Sequence, residues 1–182
     1  MFEGEPEYPW FTLVPPDTPL RQGDLIENCP IIIPISSDIK PGGSPTIADI
    51  ISFDVIVMTQ SCDLQQFKVG WVVVCAVWPL QEIGRKNDIF RSNRGKEALR
   101  QGNMVGFHLL NKIERPGFER DYQIVDFREL HTVPFSFLTE FVKGKKQRIR
   151  LLPPYREHLS QAFARFFMRV GLPIDIPPFK GK

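Results

Sequence analysis

The sequence predicts a mainly β fold: a small, strongly bent barrel of five to seven strands with one amphipathic helix packed on it near the C-terminus. Three observations carry this. Short apolar, β-branched runs alternate with glycine- and proline-rich turn signals. Only residues 155–170 place apolar side chains (Leu159, Phe163, Phe166, Phe167, Val170) at clear helical spacing. The chain has 17 prolines, which implies short elements and fixed turns, and 15 phenylalanines, which supply core volume.

Residues 1–19 hold five prolines and read as an extended N-terminal arm, fastened to the body by Trp10, Phe11 and Leu13 because three large apolar groups are costly to leave in water. The main domain is expected over 20–153. Gly23-Asp24 is a turn signal, and 25–33 is rich in strand formers. A loop with two prolines and two glycines follows. Residues 53–58 (FDVIVM) and 71–77 (WVVVCAV) read as strands buried on both faces. Only the 12 residues TQSCDLQQFKVG separate them, so they are expected to be antiparallel neighbours. A basic insertion spans 85–101, with a short helix near 95–100. Strands are expected at 104–110, 122–127 and 148–152, and 136–142 is either helix or strand. The helix is bounded by Pro154 before it and Gly171 and Pro173 after it; 172–182 forms a tail.

A length of 182 residues suffices for one domain with a real core. The three cysteines Cys29, Cys62 and Cys75 lack CxxC spacing, so neither a disulfide framework nor a zinc site is expected. With no basic-then-apolar leader and no apolar run long enough for a bilayer, a soluble protein of the reducing cytoplasm is expected. No cofactor and no metal is expected, because neither a phosphate-cradling glycine loop nor metal-ligand spacing is present.

Net charge is only +2, but it is unevenly placed. Residues 1–20 carry four acids and no Lys or Arg. Residues 143–156 carry Lys143, Lys145, Lys146, Arg148, Arg150 and Arg156 and no acid. This stretch reads either as a solvated basic hairpin or as a binding surface, with Lys145, Lys146 and Arg148 as its contact residues.

Two polar clusters could carry chemistry. Thr59-Gln60-Ser61-Cys62-Asp63 follows the VIVM strand. It reads either as a turn bonded to its own backbone or as a presented site, with Gln60, Ser61 and Cys62 binding and Asp63 accepting a proton or hydrogen bond. Cys62 is a poor nucleophile candidate beside an acid, which raises a thiol pKa. Asp126, Arg128 and His131 follow YQIVDF; Arg128 could clamp an anion and His131 act as acid or base. If the two strands run the same way, both clusters reach one rim and Gln60–Asp63 meet Arg128 and His131 on a concave face. His108 alternates with apolar residues and reads as structural, while His158 falls on the polar side of the last helix.

The order of features in residues 21–78 resembles the MazF/PemK family of bacterial toxins: Gly23-Asp24, then the VIV-type strand at 54–58, the polar turn, and the VVVC-type strand at 72–77. The resemblance implies a Src-homology-3-like small barrel, an endoribonuclease activity and a homodimer. Where the family often has an Arg before the VIV strand, this chain has Phe53 and Asp54; where it often has a Thr after VVVC, this chain has Trp78. The expected function is therefore RNA binding by a toxin-like relative with altered catalytic positions. A non-catalytic module that pairs with another protein through the Phe-rich helix or the N-terminal arm is the alternative.

Overall fold

A computed structural model describes residues 9–34 and 48–168. The first half of the arm, most of the loop after the first long strand, the end of the last helix and the tail lie outside the described residues. The described residues are mainly β, with seven strands, five α-helices and a 3-10 turn at Asp88–Phe90. The strands are β1 (Phe11–Val14), β2 (Asp24–Pro34), β3 (Ala48–Val57), β4 (Trp71–Pro79), β5 (Phe107–Leu110), β6 (Gln123–Pro134) and β7 (Arg148–Leu151). The helices are α1 (Ser61–Gln65), α2 (Leu80–Lys86), α3 (Asn93–Arg100), α4 (Phe135–Lys143) and α5 (Tyr155–Phe167).

All pairings are antiparallel, in the order β1-β7-β2-β3-β4-β6-β5. The closed barrel expected from the turn-rich pattern is not formed among the described residues: the sheet is open, with β1 and β5 at its edges. Residues 11–14, expected as part of an extended arm fastened to the body, form an edge strand. Phe11 lies opposite Leu151 and Val14 opposite Arg148.

Both faces of the sheet are covered along Phe53–Val57 of β3 and Val72–Val77 of β4, which explains why these segments read as continuous apolar runs. On one face Phe53, Val55, Val57, Val72 and Val74 pack with Leu64 of α1 and with Leu138 and Val142 of α4. On the other, Ile56, Cys75, Val77, Val125 and Phe127 pack with Trp10 and Leu159. Helix α5 lies here. Phe163 meets Phe127 edge-on at 5.4 Å and Phe166 approaches it at 6.1 Å, each such pair adding about 0.5–1.5 kcal/mol to plain burial. A smaller cluster of Phe90, Leu99 and Ile124 seats the α2–α3 insertion beside β5.

Two bulges shape the sheet. In β2 the register shifts between Ile26 and Cys29; Asn28 takes a positive φ of 48°, which Asn tolerates, and its N–H donates to Asp54 Oδ1 at 2.9 Å. In β6, Ala76 lies opposite Asp126 but Cys75 lies opposite Leu130, leaving Phe127, Arg128 and Glu129 as the excess. The sequence reading ended this strand at Phe127. The chain instead continues to Pro134, its polar residues alternating between solvent and a half-buried face. Beyond Leu25, β2 pairs only with β3, so Pro30 stands where its missing N–H costs no ladder bond.

One buried ionic cluster ties β2, β7 and the turn after β1 together at one end of the sheet. Asp24 is fully buried and accepts from Arg148 Nε at 2.9 Å and from Arg150 Nε and Nη2 at 2.5 and 2.8 Å. The Arg148 guanidinium also donates to the Pro15, Pro16, Thr18 and Pro19 carbonyls, and Arg150 Nη2 donates to Pro19 O at 2.6 Å. Before Asp24, Gly23 adopts φ +83° with its Cα pressed toward Leu151; a Cβ there would sit 3.1 Å from that side chain. Removing Asp24 strands two buried guanidinium groups. Asp24→Ala is expected to cost about 3–5 kcal/mol in urea unfolding, well above an exposed control such as Asp88→Ala. Equal losses in the two variants would show that the cluster does not hold the sheet.

Candidate functional site: an edge groove

The two polar clusters singled out from the sequence do not share contacts. Strands β3 and β6 do run the same way, both being antiparallel to β4, but β4 lies between them. The rim after β3 is met by the end of β6: Phe135 N–H donates to Gly70 O at 2.9 Å, and the Phe67 and Phe135 rings touch edge-on at 5.9 Å. His131 pairs with Val74, which pairs in turn with Val57, so it stands level with the end of β3 but two strand spacings away, roughly 10 Å, with β4 between; Arg128 lies further back along β6.

Thr59–Asp63 satisfies local groups. Thr59 Oγ1 accepts from Val73 N–H at 2.7 Å, Gln60 O accepts from the Asp63 and Leu64 N–H groups, and Ser61 Oγ accepts from Gln22 N–H at 3.1 Å. Cys62 is exposed, its thiol 3.8 Å from Asp63 Oδ1. Arg128 is engaged by Asp126 through Nε at 2.9 Å and Nη2 at 2.6 Å and lies over the Phe107 ring; those hydrogen bonds raise its pKa further. His131 packs against Phe53 at 5.5 Å, with Nε2 buried and unbonded.

The basic stretch 143–156 is largely consumed by the fold. Arg148 and Arg150 are buried on Asp24, so Arg148, expected at a binding surface, is a structural group. Lys143 pairs with Glu140, Arg156 with Glu157, and Lys145 sits over the Phe141 ring at 4.4 Å. Lys146 is exposed.

A concavity lies elsewhere, along the open edge of β5. It is a groove of about 1240 Å³. The α2–α3 insertion contributes Arg85, Arg91, Lys96, Glu97 and Arg100 to its lining, with Phe90, Leu99 and Leu110 as apolar groups; Asp121 and Tyr122, beside the start of α2, and Tyr155 of α5 line it as well. The insertion is locally well defined. Ser92 caps α3 by accepting from Gly95 N–H at 3.0 Å while its hydroxyl donates to Ile89 O at 2.9 Å. Gly95 is required here, because a Cβ would fall 1.7 Å from Ile89 O. Arg100 is bonded to Glu97 through Nε and Nη2, and these hydrogen bonds hold the Glu97 carboxyl down to about 2. Arg91 pairs with Asp88, which leaves Arg85 and Lys96 as the lining cations without an acid partner among the described residues. The net charge of the insertion is the sequence signal for this part of the lining; Leu110, Tyr122 and Tyr155 come from three other segments and give none.

His108, read from sequence as structural, lines the groove on β5 and stacks near Phe127 at 6.4 Å. Burial, and secondarily the charge of His158, push its pKa from 6.5 to about 4. No group of three or more His, Cys, Asp or Glu among the described residues could hold a metal ion, and no described helix is long and apolar enough to cross a membrane. No protein-family model, curated protein or solved structure matches the chain.

Two measurements follow from these environments. Burial pushes Cys29 up to about 11 and Cys75 up to about 12, so in the native protein a thiol reagent is expected to modify Cys62 alone, with the other two reacting only on unfolding. Native labelling of two or three thiols would contradict this burial. Because His108 has a depressed folded pKa, the unfolded chain binds more protons between pH 6.5 and 4, and stability falls as pH drops through that window. His108→Gln is expected to flatten that part of the pH dependence of the urea midpoint. An unchanged slope would show that His108 is as easily protonated folded as unfolded.

Proposed function

We propose that the protein binds single-stranded RNA along the β5 groove and does not cleave it. The observation that carries this reading is the groove's composition. Arg85, Arg91, Lys96 and Arg100 line it together with apolar groups and the rings of Tyr122 and Tyr155, the pairing of backbone-tracking charge with stacking surfaces that suits a single strand. The toxin-like relationship remains part of the proposal. Its region, 21–78, folds into the contiguous antiparallel meander β2-β3-β4. The positions where that family often carries Arg and Thr support binding without cleavage. Phe53 and Trp78 stack at 5.3 Å, and Asp54 is bonded to Asn28 N–H and Arg120.

A second reading, a module for a protein partner, is favoured by the β2–β3 hairpin. Ile32 and Ile50 stand directly opposite each other and are each 70% exposed. The Phe-rich helix proposed from sequence for that role turns its Leu159, Phe163 and Phe166 face to the core.

The test is anisotropy of a labelled single-stranded RNA of about ten nucleotides across a salt series from about 50 to 200 mM. Affinity is expected to fall steeply with salt. Arg85→Ala with Lys96→Ala is expected to weaken binding about equally for unrelated sequences and to flatten the salt slope by about 1 to 2. The RNA is expected to remain intact. Absence of binding at the lowest salt would overturn the reading and leave the hairpin module.

A further inference from the structure

A smaller cavity of about 260 Å³ opens where β5 faces α5, sharing Leu99, Arg100, His108 and Leu109 with the groove. Its polar lining is Arg100, Gln101, His108, His158, Gln161 and Arg165, with no acidic residue. We propose that this cavity is a binding site for a phosphate group, which in the single-strand reading is one phosphate of the RNA lying in the groove.

The argument is geometric. His158, Gln161 and Arg165 follow one another on α5 at intervals of three and four residues, so they project from one helical face. That face meets His108 on β5 and Arg100 on α3, so donors come from three separate elements and converge on one space. Convergent donors of this kind match the several oxygens of a phosphate, and guanidinium groups at two sides suit it further. Among the described residues no acid pairs with Arg165. Glu97, the acid nearest in sequence to Arg100, is bonded to that guanidinium and lines only the larger groove. An anion in the cavity would partner Arg165, and the imidazole of His108, which burial keeps neutral, offers one N–H to it.

The proposal rests on the groove reading for the source of the phosphate but not for the pocket, so the experiment has two arms. In the first, inorganic phosphate is titrated into the full chain, with chloride at matched ionic strength as control, and the imidazole resonances are followed by NMR. Saturable shifts of His108 and His158 with phosphate are expected, absent with chloride. His158→Ala and Arg165→Ala, both at exposed positions, are expected to weaken the effect about tenfold each with unchanged thermal melting. In the second arm the same variants are tested against single-stranded RNA, with about a tenfold loss and a shallower salt dependence expected. Equal responses to phosphate and chloride, or phosphate binding indifferent to both variants, overturn the pocket. Phosphate binding without RNA binding upholds the pocket and overturns the strand path. RNA binding that ignores both variants upholds the groove and removes the pocket from it.

Discussion

The sheet depends on a single buried carboxylate. Asp24 draws two guanidinium groups from β7, more than a hundred residues later in the chain, and those groups in turn satisfy the carbonyls of the turn between β1 and β2. Burying charge is costly unless geometry and hydrogen bonding are nearly complete. Here the surplus cation is spread over main-chain oxygens of the partly buried turn before Asp24. Without this cluster neither β1 nor β7 has a fixed place. Trp10 and Leu151, which help close the groove, would lose theirs as well.

The same arrangement explains what the sequence concealed. The apolar runs of β3 and β4 were legible because both faces of the sheet are covered along them. The length of β6 was not, because the bulge at Phe127–Glu129 interrupts the pattern that marks a strand, and Arg128 and His131 then look like residues past its end. Arg148 and Arg150 looked like a solvated basic stretch because their partner lies at Asp24, a distance that no local pattern reports. The seven-strand order and its openness depend on which edges meet, and spacing along the chain does not encode that.

For the candidate site, sequence reasoning found the right kind of signal in the wrong emphasis. The positive insertion was visible; its part in lining a groove was not, since β5, Tyr122 and Tyr155 join it only in three dimensions. His108 looked structural because it alternates with apolar residues, yet such alternation also places a side chain between a strand and a covering helix, where cavities form. The polar run Thr59–Asp63 drew attention by composition, and its composition is accounted for by the turn it builds.

The open sheet has one more consequence, for how copies of the chain behave together. An exposed strand edge invites a neighbour to add a strand of its own, and an open sheet has two such edges. Here both end strands, β1 and β5, are only four residues long. β1 is flanked by Pro9 and by Pro15 and Pro16, which cannot donate to a longer ladder. β5 is shadowed by the cations of the insertion, so two copies approaching edge to edge bring like charges together. The features that shape the groove thus also guard the fold against growing, strand by strand, into an aggregate.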